Sequence, residues 1–112
     1  MLDNWYRLGS VLLEAGRIGE ALDCLHKADV LAPKKEYICH KVAQAYLKQE
    51  EPDEALKAYE RIPQHRQAPY ILHGMAQCYM AKEEFMEAAR KLHQAIRREP
   101  RKFYHHWDFA LP

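Results

Sequence analysis

Apolar residues along this chain recur every three or four positions, the spacing that lines one face of an α-helix. Trp5, Leu8, Val11, Leu12 and Ala15 make one such stripe. Ile38, Val42, Ala45 and Tyr46 make a second, and Ile71, Leu72, Met75, Cys78 and Tyr79 a third. Each stripe is followed by another stretch of about 12 residues with the same helical spacing, so the pattern predicts three pairs of helices. The pairs are also copies of one another. Trp5-x2-Leu8-Gly9-x2-Leu12, then Ala21-x3-Leu25, Ala28 and Pro33, returns as Val42-Ala43-x2-Tyr46, Ala55-x3-Tyr59 and Ile62. It returns again as Met75-Ala76-x2-Tyr79, Ala88-x3-Leu92, Ala95 and Pro100. The spacing is 34 residues from first copy to second and 33 from second to third. A period of that length is the signature of a repeat architecture, in which each unit is one supersecondary element.

Within this skeleton the columns Gly9/Ala43/Ala76 and Ala21/Ala55/Ala88 hold only small residues, which lets two helix backbones approach and seats larger neighbours in the grooves. Gly16 and Gly19 break the first pair. Pro52 opens a helix, where its missing N–H costs nothing, and Asp53 and Glu54 follow in the first turn, where acids are favoured. Pro69 is expected to open another. Pro63 comes directly after Ile62, whereas the other copies run on before reaching proline. The residue before a proline avoids helical geometry. The second helix of copy two is therefore expected to end about a turn early, with 63–68 as a polar connector, the alternative being a kinked helix through Pro63. Either arrangement places a local break between copies two and three.

These motifs resemble the tetratricopeptide repeat family over residues 2–100. The departures are Leu12 in place of the usual Tyr, the Trp and Gly kept only in the first copy, and Ile62 where the other copies have Ala. The resemblance implies an all-α fold, a helical-hairpin solenoid with three antiparallel helix pairs stacked into a right-handed superhelix. The chain reads as one domain with repeats at about 2–35, 36–68 and 69–102, and 103–112 as the start of a further helix.

The resemblance further implies that the first helix of each pair lines a concave face. Its columns here are Tyr6, His40, His73 and Trp107, then Asp3, Tyr37, Tyr70 and Tyr104 one turn earlier. One turn later come Ser10, Gln44 and Gln77, and beyond them Leu13, Leu47 and Met80. Tyr37/His40 and Tyr70/His73 are three apart, so each pair shares a helix face. Tyr and His combine an apolar body with a polar tip, Gln can bond both an N–H and a C=O, and Met adapts to varied shapes. The expected ligand is a peptide or helix of another protein with apolar or aromatic anchors. The competing reading is structural: the tyrosines pack between neighbouring repeats and the histidines are solvated. Some relatives grip a chaperone's C-terminal carboxylates with Lys, Asn and Arg. The matching places here are Tyr6, Ser10, Lys41, Tyr70 and Gly74, so that clamp is not expected.

Composition narrows the classes without choosing a partner. The formal charge is +1, which gives no bulk attraction to nucleic acid or membrane, and no apolar run approaches the ~20 residues of a membrane span. No leader pattern opens the chain, and three cysteines without a C-x2-C pair suit reduced thiols in a cytoplasmic protein. Residues 1–32 hold five acids and three bases, and residues 89–112 six bases and two acids. This asymmetry reads either as solvated helix ends or as opposite-signed ends that favour head-to-tail stacking. No nucleophile constellation, phosphate loop or zinc spacing stands out, so neither catalysis nor a metal or other cofactor is expected. Phe109-Ala110 falls in the columns of Leu8-Gly9 and Met75-Ala76. With Trp107 it gives an apolar end from which a second function follows, self-association such as a homodimer through the C-terminal helix.

Overall fold

The computed structural model describes residues 2–98, and every regular element among them is helical. Six α-helices follow in order: α1 Leu2–Glu14, α2 Ile18–Leu31, α3 Glu36–Lys48, α4 Pro52–Glu60, α5 Pro69–Ala81 and α6 Phe85–Arg98. Pro52 and Pro69 open α4 and α5, where a first-turn N–H has no helical partner to lose. α4 is short, nine residues against fourteen in α2 and α6. It ends at Glu60, and a 3-10 turn, Gln64–Arg66, follows Pro63. The helix thus stops before the proline instead of kinking through it. The chain divides into two compact units, Met1–Arg66 and Gln67–Pro112.

In the first unit α1 packs on α2, α2 on α3, and α3 on α4. Its core holds Ala21, Leu25, Ala28, Ile38, Cys39, Ala43, Ala55, Tyr59 and Ile62, all buried. The small columns act as close-approach points. A Cβ added to Gly9 would stand 2.8 Å from Leu25 Cγ and 3.2 Å from the Ala21 carbonyl oxygen, so α1 and α2 meet with no room for a methyl group.

The stripe expected to face the core of α1 is only partly buried. Leu8 is 47 % and Val11 64 % exposed, and Ala15 is exposed too. The buried positions are Gly9 and Leu13, one turn apart on the side that meets α2. Leu13 therefore belongs to the core, at 3 % exposure, and not to an open binding face. The difference is one of neighbours. Val42 and Ala45 stand where Leu8 and Val11 stand one repeat earlier, and both are buried in α3, which packs against α2 as well as α4.

In the second unit α5 packs on α6. Ile71, Leu72, Met75, Ala76, Cys78, Ala88 and Ala95 are buried. Arg98, in the last turn of α6, donates to the carbonyl of Gln67 at the opening of the unit. This ties the far end of the pair to its beginning.

The turn inside each pair is built identically. Gly16, Glu50 and Glu83 all have left-handed φ, at 84°, 60° and 60°. In each turn the next amide reaches back across the helix end: Arg17 to the Leu12 carbonyl (2.9 Å), Glu51 to Tyr46 (2.9 Å) and Glu84 to Tyr79 (2.8 Å). This is the left-handed cap that satisfies a helix's last carbonyls, and glycine fills it at least steric cost.

Candidate functional site

Tyr6 and Ser10 on α1, and Tyr37, His40, Gln44 and Leu47 on α3, carry the candidate surface of the first unit. The Tyr6 and Tyr37 rings meet edge to face, centroids 4.9 Å apart at 88°, the geometry that aligns one ring's positive edge with the other's negative face. This is the packing between neighbouring helix pairs that the structural reading expects of Tyr37. The pair bridges α1 and α3, yet Tyr37 stays 37 % exposed. Burial pushes the Tyr6 phenol above its ordinary pKa, and the Ser10 hydroxyl beside it opposes the shift. Gln44 and Leu47 are half-buried.

His40 is more firmly held than a groove contact needs to be. Its Nδ1 lies 2.8 Å from the Tyr59 hydroxyl, with the rings 5.8 Å apart at 44°. Tyr59 has no solvent exposure, and a buried phenol needs a hydrogen-bond partner. His40 supplies it. When the phenol donates to Nδ1, the proton of a neutral His40 sits on Nε2. Sequence reasoning missed this link, although one signal was available: Tyr59 stands in the column that holds Leu25 and Leu92 in the other copies.

The second unit carries Tyr70, His73, Gln77 and Met80 on α5, and all four side chains are exposed. Tyr70 is 46 % and Met80 51 % exposed. Beneath His73 the corresponding place on α6 is Leu92, which has no hydroxyl to offer. Trp107 and Phe109, expected to drive self-association, lie outside the described residues.

Two ion pairs that sequence reasoning did not single out fasten the segment after α4 to the first unit. Arg61 donates to Asp29 on α2 at 2.7 Å. Arg66 grips Glu36 with two parallel bonds of 2.8 and 2.9 Å, the fork geometry that makes arginine–carboxylate contacts directional. The Arg66 bond holds the Glu36 carboxyl below its ordinary pKa.

Cys24, Cys39 and Cys78 are free and buried. Burial raises the Cys39 thiol and pushes Cys78 up to about 12, so neither is a ready thiolate. Among the described residues no three His, Cys, Asp or Glu side chains gather as a metal would require, and no helix is long and apolar enough to cross a membrane.

These features define a class: a helical-hairpin repeat whose open first-helix faces mix aromatic, apolar and amide side chains. A tetratricopeptide repeat family profile matches residues 12–78, more than half of the chain, and a second matches 71–102. The chain belongs to the tetratricopeptide repeat family. Among solved structures it is similar to MamA, with a TM-score of 0.82 and 23% identity over 93% of this chain and 61% of that one. It is also similar to the C-terminal part of a repeat-containing protein of the same family from Cytophaga hutchinsonii, with a TM-score of 0.66 and 18% identity over 87% of this chain and 39% of that one. Both likenesses concern the fold, and the chain spans less than two thirds of either structure's length. No curated protein sequence gives a match. Tetratricopeptide repeats generally mediate protein–protein interactions.

Proposed function

We propose that this chain is a non-catalytic, cytoplasmic protein-interaction scaffold. Its three repeats act as one binding domain, and its first-helix faces hold a peptide or helix of a partner protein. The contacts are Tyr6, Ser10, Tyr37, His40, Gln44 and Leu47 in the first unit, and Tyr70, His73, Gln77 and Met80 in the second. One observation carries the reading. Tyr37, Tyr70 and Met80 keep large apolar surfaces open on the faces that also carry His and Gln. Such a mixture suits a ligand with apolar or aromatic anchors and a backbone to hydrogen-bond. The near-neutral charge and the pairing of Arg61 and Arg66 with carboxylates favour such a ligand over a phosphate backbone.

The test is selection from a displayed random-peptide library, followed by binding measurements on Tyr37→Ala and on Tyr70→Ala. Peptides rich in aromatic or aliphatic residues should be selected, and each substitution should weaken them about tenfold or more, as loss of an aromatic contact does. Selected peptides that ignore both substitutions, or that are uniformly charged, would overturn the assignment of these faces.

A further inference from the structure

The chain contains, as a finished internal contact, the interface whose two halves it leaves open elsewhere. In the first unit α3 packs on α2. Val42 and Ala45 of α3 are buried. On α2, Leu22 is buried, and His26, one turn on, meets the Tyr46 hydroxyl of α3 at 3.5 Å. The repeat register carries each side of this contact to another helix. Val42 and Ala45 map onto Leu8 and Val11 of α1, which are 47 % and 64 % exposed. Leu22 and His26 map onto Ala89 and His93 of α6, both exposed. Ala89 and His93 line an open hollow of about 480 Å³ together with Met86, Glu87 and Arg90. Met86 is 83 % exposed.

We infer that α1 of one copy of this chain seats its Leu8/Val11 stripe in the α6 hollow of a second copy, repeating between molecules the α3-on-α2 contact within the first unit. What favours a second copy is that correspondence: within the first unit the helix carrying Val42 and Ala45 packs on the helix carrying Leu22 and His26. Charge does not oppose it. The hollow holds one acid and one base, Glu87 and Arg90, already paired with each other. α1 shows Arg7 and Glu14 beside its stripe. The interface is heterologous, so an open row of copies keeps one free stripe at one end and one free hollow at the other, and it grows past the dimer until the two ends meet in a ring or the copies run out. A single helix-on-helix contact is small by the standard of stable interfaces, so association is weak and concentration-dependent. This surface is distinct from the first-helix faces proposed to bind peptide.

Sedimentation of the full chain across a concentration series tests it, with Val11→Glu and Ala89→Glu as variants. Both positions are exposed and helical, and glutamate is a good helix former, so helicity and melting should be unchanged. The wild type should show an average mass that climbs with concentration past the dimer. Each variant alone should stay monomeric. An equimolar mixture should recover dimers and nothing larger, because each variant keeps the half that the other has lost. A wild-type mass fixed at the monomer would overturn the inference. Association abolished by Val11→Glu but untouched by Ala89→Glu would overturn it in favour of a stripe-to-stripe dimer. Peptide binding through Tyr37 and Tyr70 is read separately and is unaffected by either result.

Discussion

His40 and His73 occupy the same place one repeat apart, and they live differently. His40 is half-buried and bonded to a fully buried tyrosine on the helix behind it. His73 is exposed on α5, with Leu92 at the position of Tyr59. A single aromatic-for-aliphatic difference in the second helix thus turns one histidine of the expected binding face into part of the first unit's architecture and leaves its counterpart to solvent. The lesson is that a repeat column fixes where a side chain starts, while its role depends on what the partner helix places beneath it.

The largest effect should come from removing that difference. Tyr59→Leu gives the first unit the second unit's residue, deleting a fully buried ring and leaving a void. It should cost about 2–3 kcal/mol, as core truncations do, in denaturant unfolding. A loss under about 0.5 kcal/mol, the level of a neutral surface change, would mean that the two columns are equivalent after all.

Gly9 is a second place where one copy departs from the others, which have alanine there. Gly9→Ala drives a methyl group to 2.8 Å from the fully buried Leu25. Overpacking of this kind costs about 1–3 kcal/mol, offset by up to about 1 kcal/mol of helix propensity. The melting temperature should therefore fall. A rise would show that α1 can move off α2 freely.

The histidines themselves come next. His40→Ala removes a hydrogen-bond partner of the Tyr59 hydroxyl and should destabilise by about 1 kcal/mol, whereas His73→Ala should stay within about 0.5 kcal/mol. Equal effects would break the comparison. The practical consequence is that His40→Ala is a poor probe of ligand binding, and Tyr37 or His73 a better one.

Glu50→Gly and Glu83→Gly test the turns. Both glutamates hold φ of 60° where the first pair uses Gly16. Relief of left-handed strain, about 1–2 kcal/mol, exceeds the added chain entropy of glycine, so each should raise stability by a few tenths to about 1 kcal/mol. If either substitution lowers the melting temperature, its turn is not strained.

The smallest effect is electrostatic. Glu36 has its carboxyl pKa lowered, chiefly by Arg66. A lowered folded-state pKa gives stability that is present above the unfolded value, 4.5, and is lost as pH falls through the folded value. The pair is partly exposed, so solvent screening limits it to a few tenths of a kcal/mol. Glu36→Gln should flatten the acid limb of the stability–pH curve below about pH 4.5 by that much, and an unchanged limb would remove the pair from the account of the first unit.

Much of the fold was legible because helical spacing and the near-34 period are local properties. The small columns, the helix starts at Pro52 and Pro69 and the early end of α4 before Pro63 follow from backbone sterics that act within a turn or two. The candidate faces were legible in the same way, since residues three and four apart share a side of a helix whatever surrounds it. Tertiary structure alone decided which sides were covered. Leu8 and Val11 fit the core pattern as well as Val42 and Ala45 do, and they differ because α3 packs on both α2 and α4 while α1 packs chiefly on α2. Leu13 was expected on the open face and went to the core because it shares a side with Gly9, the point where α1 meets α2. The His40–Tyr59 bond and the Arg66–Glu36 fork join residues 19 and 30 apart in sequence, and no spacing rule reaches that far. A sequence states the periodicity of its own helices. Burial and hydrogen-bond partners belong to pairs of helices, so they appear only when the helices are packed.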